Sequence, residues 1–239
     1  MADEICSVCG RKAAGRHSGS PRNEARPASL ARCRNSWCSA PGCPLTAVYS
    51  VGNYEGALRR AVVGFKYGGD LRWARTFAAM LLNFLARHAT WFEEYGVICP
   101  VPSFLGAGAR REFGHMELLG AELARLAQAG WPVEPLLSKV SETEPMSSKP
   151  HPVRRRIGGD LLSKAFRPSP GTEIVGRRVL VIDDVLVSGE TLLAAAGALR
   201  TAGAEEVGGL VLARASWRSS PGAADRPRAH AGGLPALPS

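Results

Sequence analysis

Apolar positions along this chain recur with two periods. In "ARTFAAMLLNFLARHA" (74–89), Phe77, Leu81, Phe84 and Leu85 share one face at helical spacing. "HMELLGAELARLAQAG" (115–130) puts Met116, Leu119, Leu123 and Leu126 on one face, with Gly130 as the stop. "ETLLAAAGALRTAG" (190–203) predicts a third helix, closed by Gly203. Between these lie short unbroken apolar runs of the kind found in buried strands: "VICPVP" (97–102), ended by proline, "VLVI" (179–182) and "VGGLVLAR" (207–214). Strand and helix alternate from Val48 onward. That order predicts an α/β fold, a mostly parallel sheet with helices on its flanks.

The pattern fails in three places. Residues 1–47 hold one aromatic, Trp37, and few branched aliphatics, too little for a hydrophobic core of their own. "SETEPMSSKPHPVRRRIGGD" (141–160) is polar, broken by proline and basic around Arg154, Arg155 and Arg156; a loop of that length inside a compact domain is functional or disordered. The tail after residue 218 has the composition of a disordered segment. The predicted organisation is a cysteine-rich module (1–47), an α/β domain (48–218) and a tail (219–239).

Cysteine usage changes the reading of the first module. Five of the six cysteines, Cys6, Cys9, Cys33, Cys38 and Cys43, fall in the first 43 residues, and Cys99 lies beyond. "MADEICSVCG" lacks a basic stretch followed by an apolar one, and the run Phe77 to Ala86 contains Asn83 and is too short to span a bilayer. The expectation is a cytoplasmic protein with no membrane insertion, where clustered thiols serve metal rather than disulfides. Cys6 and Cys9, two residues apart, make half of a structural zinc knuckle. Cys33 and Cys38 are favoured for the other half, with Cys43 as the replacement and His17 as an outside choice. Net charge is +9 over 239 residues, which suits an anionic ligand or a polyanion and equally a merely Arg-rich composition.

The chemistry concentrates in "VLVIDDVLVSGET" (179–191). Two adjacent carboxylates, Asp183 and Asp184, stand at the end of the most apolar run. Keeping both ionised beside a core requires a cation or hydroxyl donors. At the carboxyl end of a strand in a doubly wound sheet, ligands bind. The turn Val187, Ser188, Gly189, Glu190 and Thr191 leads into a helix, whose N-terminal amides and dipole attract anions. Gly189 allows close backbone approach, and Ser188 and Thr191 supply hydroxyls. Diol acceptors beside a phosphate cradle describe a ribose 5-phosphate site. A nucleotide-binding P-loop needs a Gly-Lys pair that the chain lacks, a receiver domain needs a later aspartate than these, and a dinucleotide fingerprint fails at Arg111.

This stretch resembles the phosphoribosyl diphosphate motif of type I phosphoribosyltransferases, with Ser188 in place of the usual threonine. "CRNSWC", "YEGALRRAVVGFKYGGD", "VPSFLGAGARREFGHMELLGAELA" and "RRRIGGDLLSKAFR" extend the resemblance to the competence-associated ComF group of that superfamily, over roughly residues 1 to 217. The resemblance implies a type I phosphoribosyltransferase-like sheet, Asp183 and Asp184 on the ribose hydroxyls with Mg2+ nearby, and Val187 to Thr191 around the 5-phosphate. It implies Arg110 and Arg111 on pyrophosphate and a flexible catalytic loop around Lys149 to Arg156. Two departures stand out. Arg111-Glu112-Phe113-Gly114-His115 replaces Arg-Gly-Phe-Asn-Gln, and Leu30 occupies the place of a cysteine partner to Cys33. Glu112 would repel pyrophosphate unless it points outward. His115 is read as a polar surface residue ahead of a helix cap or a base, and Lys66 as an exposed cation near a Gly-Gly turn.

Two functions follow. The first is binding of phosphoribosyl diphosphate with Mg2+ and transfer of phosphoribosyl to an unidentified acceptor, as in nucleoside metabolism. The alternative is a non-enzymatic competence accessory protein that binds single-stranded DNA, with DNA-uptake or recombination proteins as partners. The absence of interleaved aromatics expected of a base-stacking platform weighs against the second.

Overall fold

The computed structural model describes residues 6, 8–9, 38, 42–68, 70, 72–107, 109, 113–127, 130–141 and 164–215. Within these, four strands form one parallel sheet: β1 (Val48–Asn53), β2 (Val97–Pro100), β5 (Arg178–Leu186) and β6 (Glu206–Arg214), in the order β1-β6-β5-β2. β3 (Leu137–Lys139) and β4 (Phe166–Pro168) form a separate antiparallel ribbon. The helices are α1 (Gly56–Tyr67), α2 (Arg72–Arg87), the single turn α3 (Ala89–Phe92), α4 (His115–Ala127) and α5 (Glu190–Thr201). The mixed α/β architecture with a mostly parallel sheet is as the alternation of elements predicts.

The sheet is buried on both faces, which is why β5 and β6 read as continuous apolar runs rather than alternating ones. On one face Leu180, Ile182, Leu210 and Leu212 pack against Phe65, Phe77, Leu81, Met116 and Leu119 of α1, α2 and α4. On the other, Val179, Val181, Val207 and Val211 meet Leu192, Ala195, Ala196 and Leu199 of α5 and Leu137 and Phe166 of the ribbon. Alanines along α5 let that helix lie close to the sheet. Gly203, with φ +97°, ends it, as the sequence predicts. On the first face, Gly120 of α4 lies against the ring of Pro100 on β2.

Several elements differ from the sequence reading. β5 runs on through both aspartates to Leu186, so the acids lie within a strand rather than after one. α1 carries only three fully buried residues, Ala61, Val62 and Phe65, around Arg59 and Arg60, and its period is masked by charge. The ribbon brackets the basic loop, pairing Leu137 with Pro168 and Lys139 with Phe166. Most of that loop, including Lys149 and Arg154 to Arg156, lies outside the described residues, as does the tail from 219.

Candidate functional site

Side chains alternate across a strand, so the two aspartates of β5 face opposite sides of the sheet. Asp184 follows Leu180 and Ile182 onto the face covered by α1, α2 and α4. It is 4% exposed. There it meets two partners from distant parts of the chain. Lys66, in the last turn of α1 and 17% exposed at its side chain, places Nζ 2.7 Å from Asp184 Oδ1. His115, the first residue of α4 and 3% exposed, places Nε2 2.8 Å from Asp184 Oδ2. The demand for a cation beside the acidic pair is thus met from within the protein. Lys66 is a half-buried and His115 a buried partner of Asp184, rather than the exposed cation and surface residue expected from sequence.

The network continues outward. Ser103, in the loop after β2, sets its Oγ 3.3 Å from His115 Nδ1. Its backbone N–H donates to Glu117 Oε1 at 2.7 Å, so the loop is tied to the first turn of α4 at two points. Phe65 packs edge-on to the His115 ring, with centroids 5.7 Å apart, and helps fix its orientation.

Asp183 is half-buried on the α5 side and accepts the backbone N–H of Asp184 at 2.8 Å. Burial, then the neighbouring Asp184 charge, pushes its carboxyl up to about 7, against the opposing pull of Lys66 and Lys139. Burial also pushes on Asp184, but the Lys66 ammonium and the His115 hydrogen bond outweigh it and hold that carboxyl below the ordinary carboxylate range. For Lys66, burial works against the charge, and the two aspartates overcome it to hold the ammonium above its usual value. Lys139 sits on β3 with its Nζ 5.7 Å from the centroid of the Phe166 ring. Two lysines therefore bear on one pair of acids.

Beyond Leu186 the chain bends through Val187, Ser188 and Gly189 into α5, which starts at Glu190. Gly189 holds φ +89°, a left-handed conformation that a side chain would strain. Glu190 and Thr191 stand in the first helical turn, where amides have no intrahelical acceptor. Glu190 has its Oε2 buried with no hydrogen-bond partner among the described residues. Carboxylate oxygens of Asp183 and Glu190, seven residues apart on the strand and the first turn of the helix, are hard donors, of a kind that suits Mg2+ and not a soft metal.

A second donor set is of the opposite kind. The sulfurs of Cys6, Cys9 and Cys38 lie within 4.8 Å of one another, and all three residues are buried. Hydrogen bonds from Cys38 and Cys9 drive the Cys6 thiol down, while the same contacts drive Cys38 up. Three buried thiols in one small cluster suit a thiophilic cation such as Zn2+. Cys43, half-buried, packs against this cluster. Cys33 and His17 lie outside the described residues.

Of the residues expected at the site, Asp183, Asp184, Val187, Ser188, Gly189, Glu190 and Thr191 come together on one strand, turn and helix. Arg110, Arg111 and Glu112 lie outside the described residues. Sequence reasoning did not assign Ser103 or Lys139 to the site. Burial of an acid near a core does demand a cation, but sequence does not say which of 30 lysines and arginines supplies it.

Comparison with a family model bears on this same segment. Residues 137–230, from β3 past β6, match the family model of the phosphoribosyl transferase domain. A stretch of 46 residues, 19% of this chain, is 52% identical to an adenine phosphoribosyltransferase of Mycobacteroides abscessus, and it spans 26% of that relative. The chain thus covers about a quarter of the curated relative it matches. Among the described residues no helix is long and apolar enough to cross a membrane. The acid-bearing strand β5, the Gly189 turn and α5 fall within the span matched by the family model, and the partial relative points to the same phosphoribosyltransferase superfamily.

Proposed function

We propose that the protein binds phosphoribosyl diphosphate with Mg2+ at the carboxyl end of β5 and transfers its phosphoribosyl group to an acceptor. The observation that carries this reading is the run from Asp183 through the left-handed Gly189 into the first turn of α5. It puts a carboxylate, a close-approach turn and a helix N-terminus in one continuous stretch. The Gly189 turn and the amides of Glu190 and Thr191 hold the 5-phosphate, aided by the Ser188 and Thr191 hydroxyls. Asp183 meets the ribose hydroxyls, Asp184 supports it from within the protein through Lys66 and His115, and Asp183 and Glu190 offer oxygens to Mg2+. When bound, Mg2+ would neutralise charge on the pyrophosphate.

In the reaction the bond from ribose C1 to the pyrophosphate oxygen breaks and pyrophosphate departs with the electron pair. The acceptor's lone pair forms the new bond to C1, and its proton passes to solvent. The chain's contribution is positioning and electrostatic preorganisation, without a covalent intermediate. Arg110 and Arg111 are proposed to meet pyrophosphate. Cys6, Cys9 and Cys38 hold a structural Zn2+, with Cys33 or Cys43 as fourth ligand.

Calorimetric titration with phosphoribosyl diphosphate and Mg2+ tests the binding step, alongside the Asp183→Asn/Asp184→Asn double variant. Saturable, Mg2+-dependent heat from the wild type and none from the folded double variant is expected. Pyrophosphate release in the presence of candidate acceptors then tests transfer, and adenine, the base in the relative's name, is the first to try. A folded wild type that gives no heat refutes the reading. Single-stranded DNA, bound with steep salt dependence, then becomes the ligand to pursue.

A further inference from the structure

The carboxyl ends of β2 and β5 are neighbours in the sheet, with Pro100 paired to Ile182. The loop after β2 and the acid-bearing end of β5 therefore form two halves of one ligand face. A continuous chain of polar contacts joins these halves. It runs from Ser103 Oγ to His115 Nδ1 at 3.3 Å, from His115 Nε2 to Asp184 Oδ2 at 2.8 Å, and from Asp184 Oδ1 to Lys66 Nζ at 2.7 Å. His115 and Asp184 are almost fully buried, so water does not compete for the bond between them.

We infer that His115 is a positioning residue, a strut that fixes the loop after β2 relative to the acidic pair. On this view Asp184 serves the protein and Asp183 is the carboxylate left to the ligand. Both oxygens of Asp184 are engaged by protein groups, Oδ1 by an ammonium and Oδ2 by an imidazole. A ligand hydroxyl would have to displace one of these partners to use it. Asp183, half-buried and on the opposite face, accepts one backbone N–H and lies at the strand end that leads to the Gly189 turn.

The pattern also holds Ser103. Its hydroxyl and His115 Nδ1 share one hydrogen bond at 3.3 Å, whose direction follows the ring's tautomer. Because Glu117 already holds the Ser103 backbone N–H, the loop is fixed at two atoms of one residue by the first turn of α4. This helix start is thereby the mechanical link between the ends of β2 and β5.

The inference rests on the phosphoribosyl diphosphate reading, and its test separates the two. The first measurement needs no ligand. In proton NMR of 15N-histidine-labelled protein, a protected His115 Nε2–H signal is expected in the wild type. It should persist in Ser103→Ala and vanish in Asp184→Asn. Its absence from the wild type overturns the strut.

The second compares two ligands by calorimetry with Mg2+. Phosphoribosyl diphosphate carries groups for both halves of the face, whereas ribose 5-phosphate reaches only the β5 half. Ser103→Ala cuts the strut at its loop end and leaves no buried charge behind. It is expected to weaken phosphoribosyl diphosphate binding about five- to tenfold, the scale of one lost hydrogen bond, and to leave ribose 5-phosphate binding unchanged. An equal loss for both ligands, or none for either, overturns the coupling role. His115→Gln, which keeps an amide donor for Asp184, should retain ribose 5-phosphate binding better than His115→Ala. Equal loss in the two variants counts against the strut. If the wild type binds neither ligand while the NMR signal is present, the ribose-phosphate reading falls. The coupling role falls with it, and the contact network alone stands.

Discussion

Replacing Lys66 by methionine isolates the electrostatics of the site from its ligand chemistry. Methionine keeps an unbranched apolar stem in the space between α1 and β5 but removes the ammonium 2.7 Å from Asp184 Oδ1. Breaking a buried ion pair by deleting one partner costs about 3–5 kcal/mol, because the other charge is left desolvated. Here Lys66 keeps 17% exposure and His115 still bonds Oδ2, so the loss belongs near the lower end. About 3 kcal/mol corresponds to a fall in Tm of about 6–12 °C for a chain of this length.

The pH dependence gives the sign. In the wild type the Asp184 carboxyl lies below its ordinary range, so its contribution is present above about pH 4 and is lost as pH falls through the folded value. In Lys66→Met the opposing effect, burial, gains ground and raises that carboxyl. The variant's deficit should therefore be largest at pH 8 and shrink toward pH 5. Adding Asp184→Asn removes the orphaned charge, and the double variant should recover at least about 1 kcal/mol over the sum of the singles, the coupling typical of contacting residues. Urea unfolding followed by tryptophan fluorescence at both pH values measures all four proteins. A loss below about 0.5 kcal/mol, as for surface substitutions, would refute the assignment of Lys66 as a half-buried partner of Asp184.

Asp183→Asn should behave in the opposite way. Its carboxyl is pushed up to about 7, so the folded state holds the proton more tightly than the unfolded chain, and that contribution is lost as pH rises from about 4 to about 7. Thermal unfolding at pH 5 and pH 8 should show the asparagine variant gaining on the wild type at pH 8; no relative gain contradicts the raised carboxyl. At Gly120 a Cβ would fall 2.7 Å from Pro100 Cγ, so Gly120→Ala overpacks the contact between α4 and β2 and should cost about 1–3 kcal/mol in chemical denaturation. An unchanged midpoint would show that this contact has slack. Protein purified without chelator should carry one zinc per chain by elemental analysis, and Cys38→Ser should lose it; wild-type protein without zinc after metal loading counts against the cluster as a metal site.

The elements legible in the sequence are those whose signal is local. α2, α4 and α5 each bury one face at a spacing that a single turn of helix fixes. β5 and β6 are apolar through their central stretches because both of their faces are covered there. The turn into α5 at Gly189 was readable as a glycine-bearing turn before a helix, although its left-handed φ was not read from the sequence. α1 was obscured by its charged face and few fully buried residues. The ribbon of β3 and β4 was obscured because its strands are three residues each, on either side of a long polar loop. Most of all, the partners of Asp184 were not readable. Lys66 arrives from the end of α1, and His115, 69 positions before Asp184, arrives from the start of α4. Sequence alone determined that an acidic pair beside the core needs compensating charge, because desolvation makes that demand wherever the pair is buried. Only the tertiary structure decided which side chains supply it and which aspartate they engage. That choice depends on strand order and on helices crossing one face of the sheet, and no local pattern encodes contacts between segments so far apart in the chain.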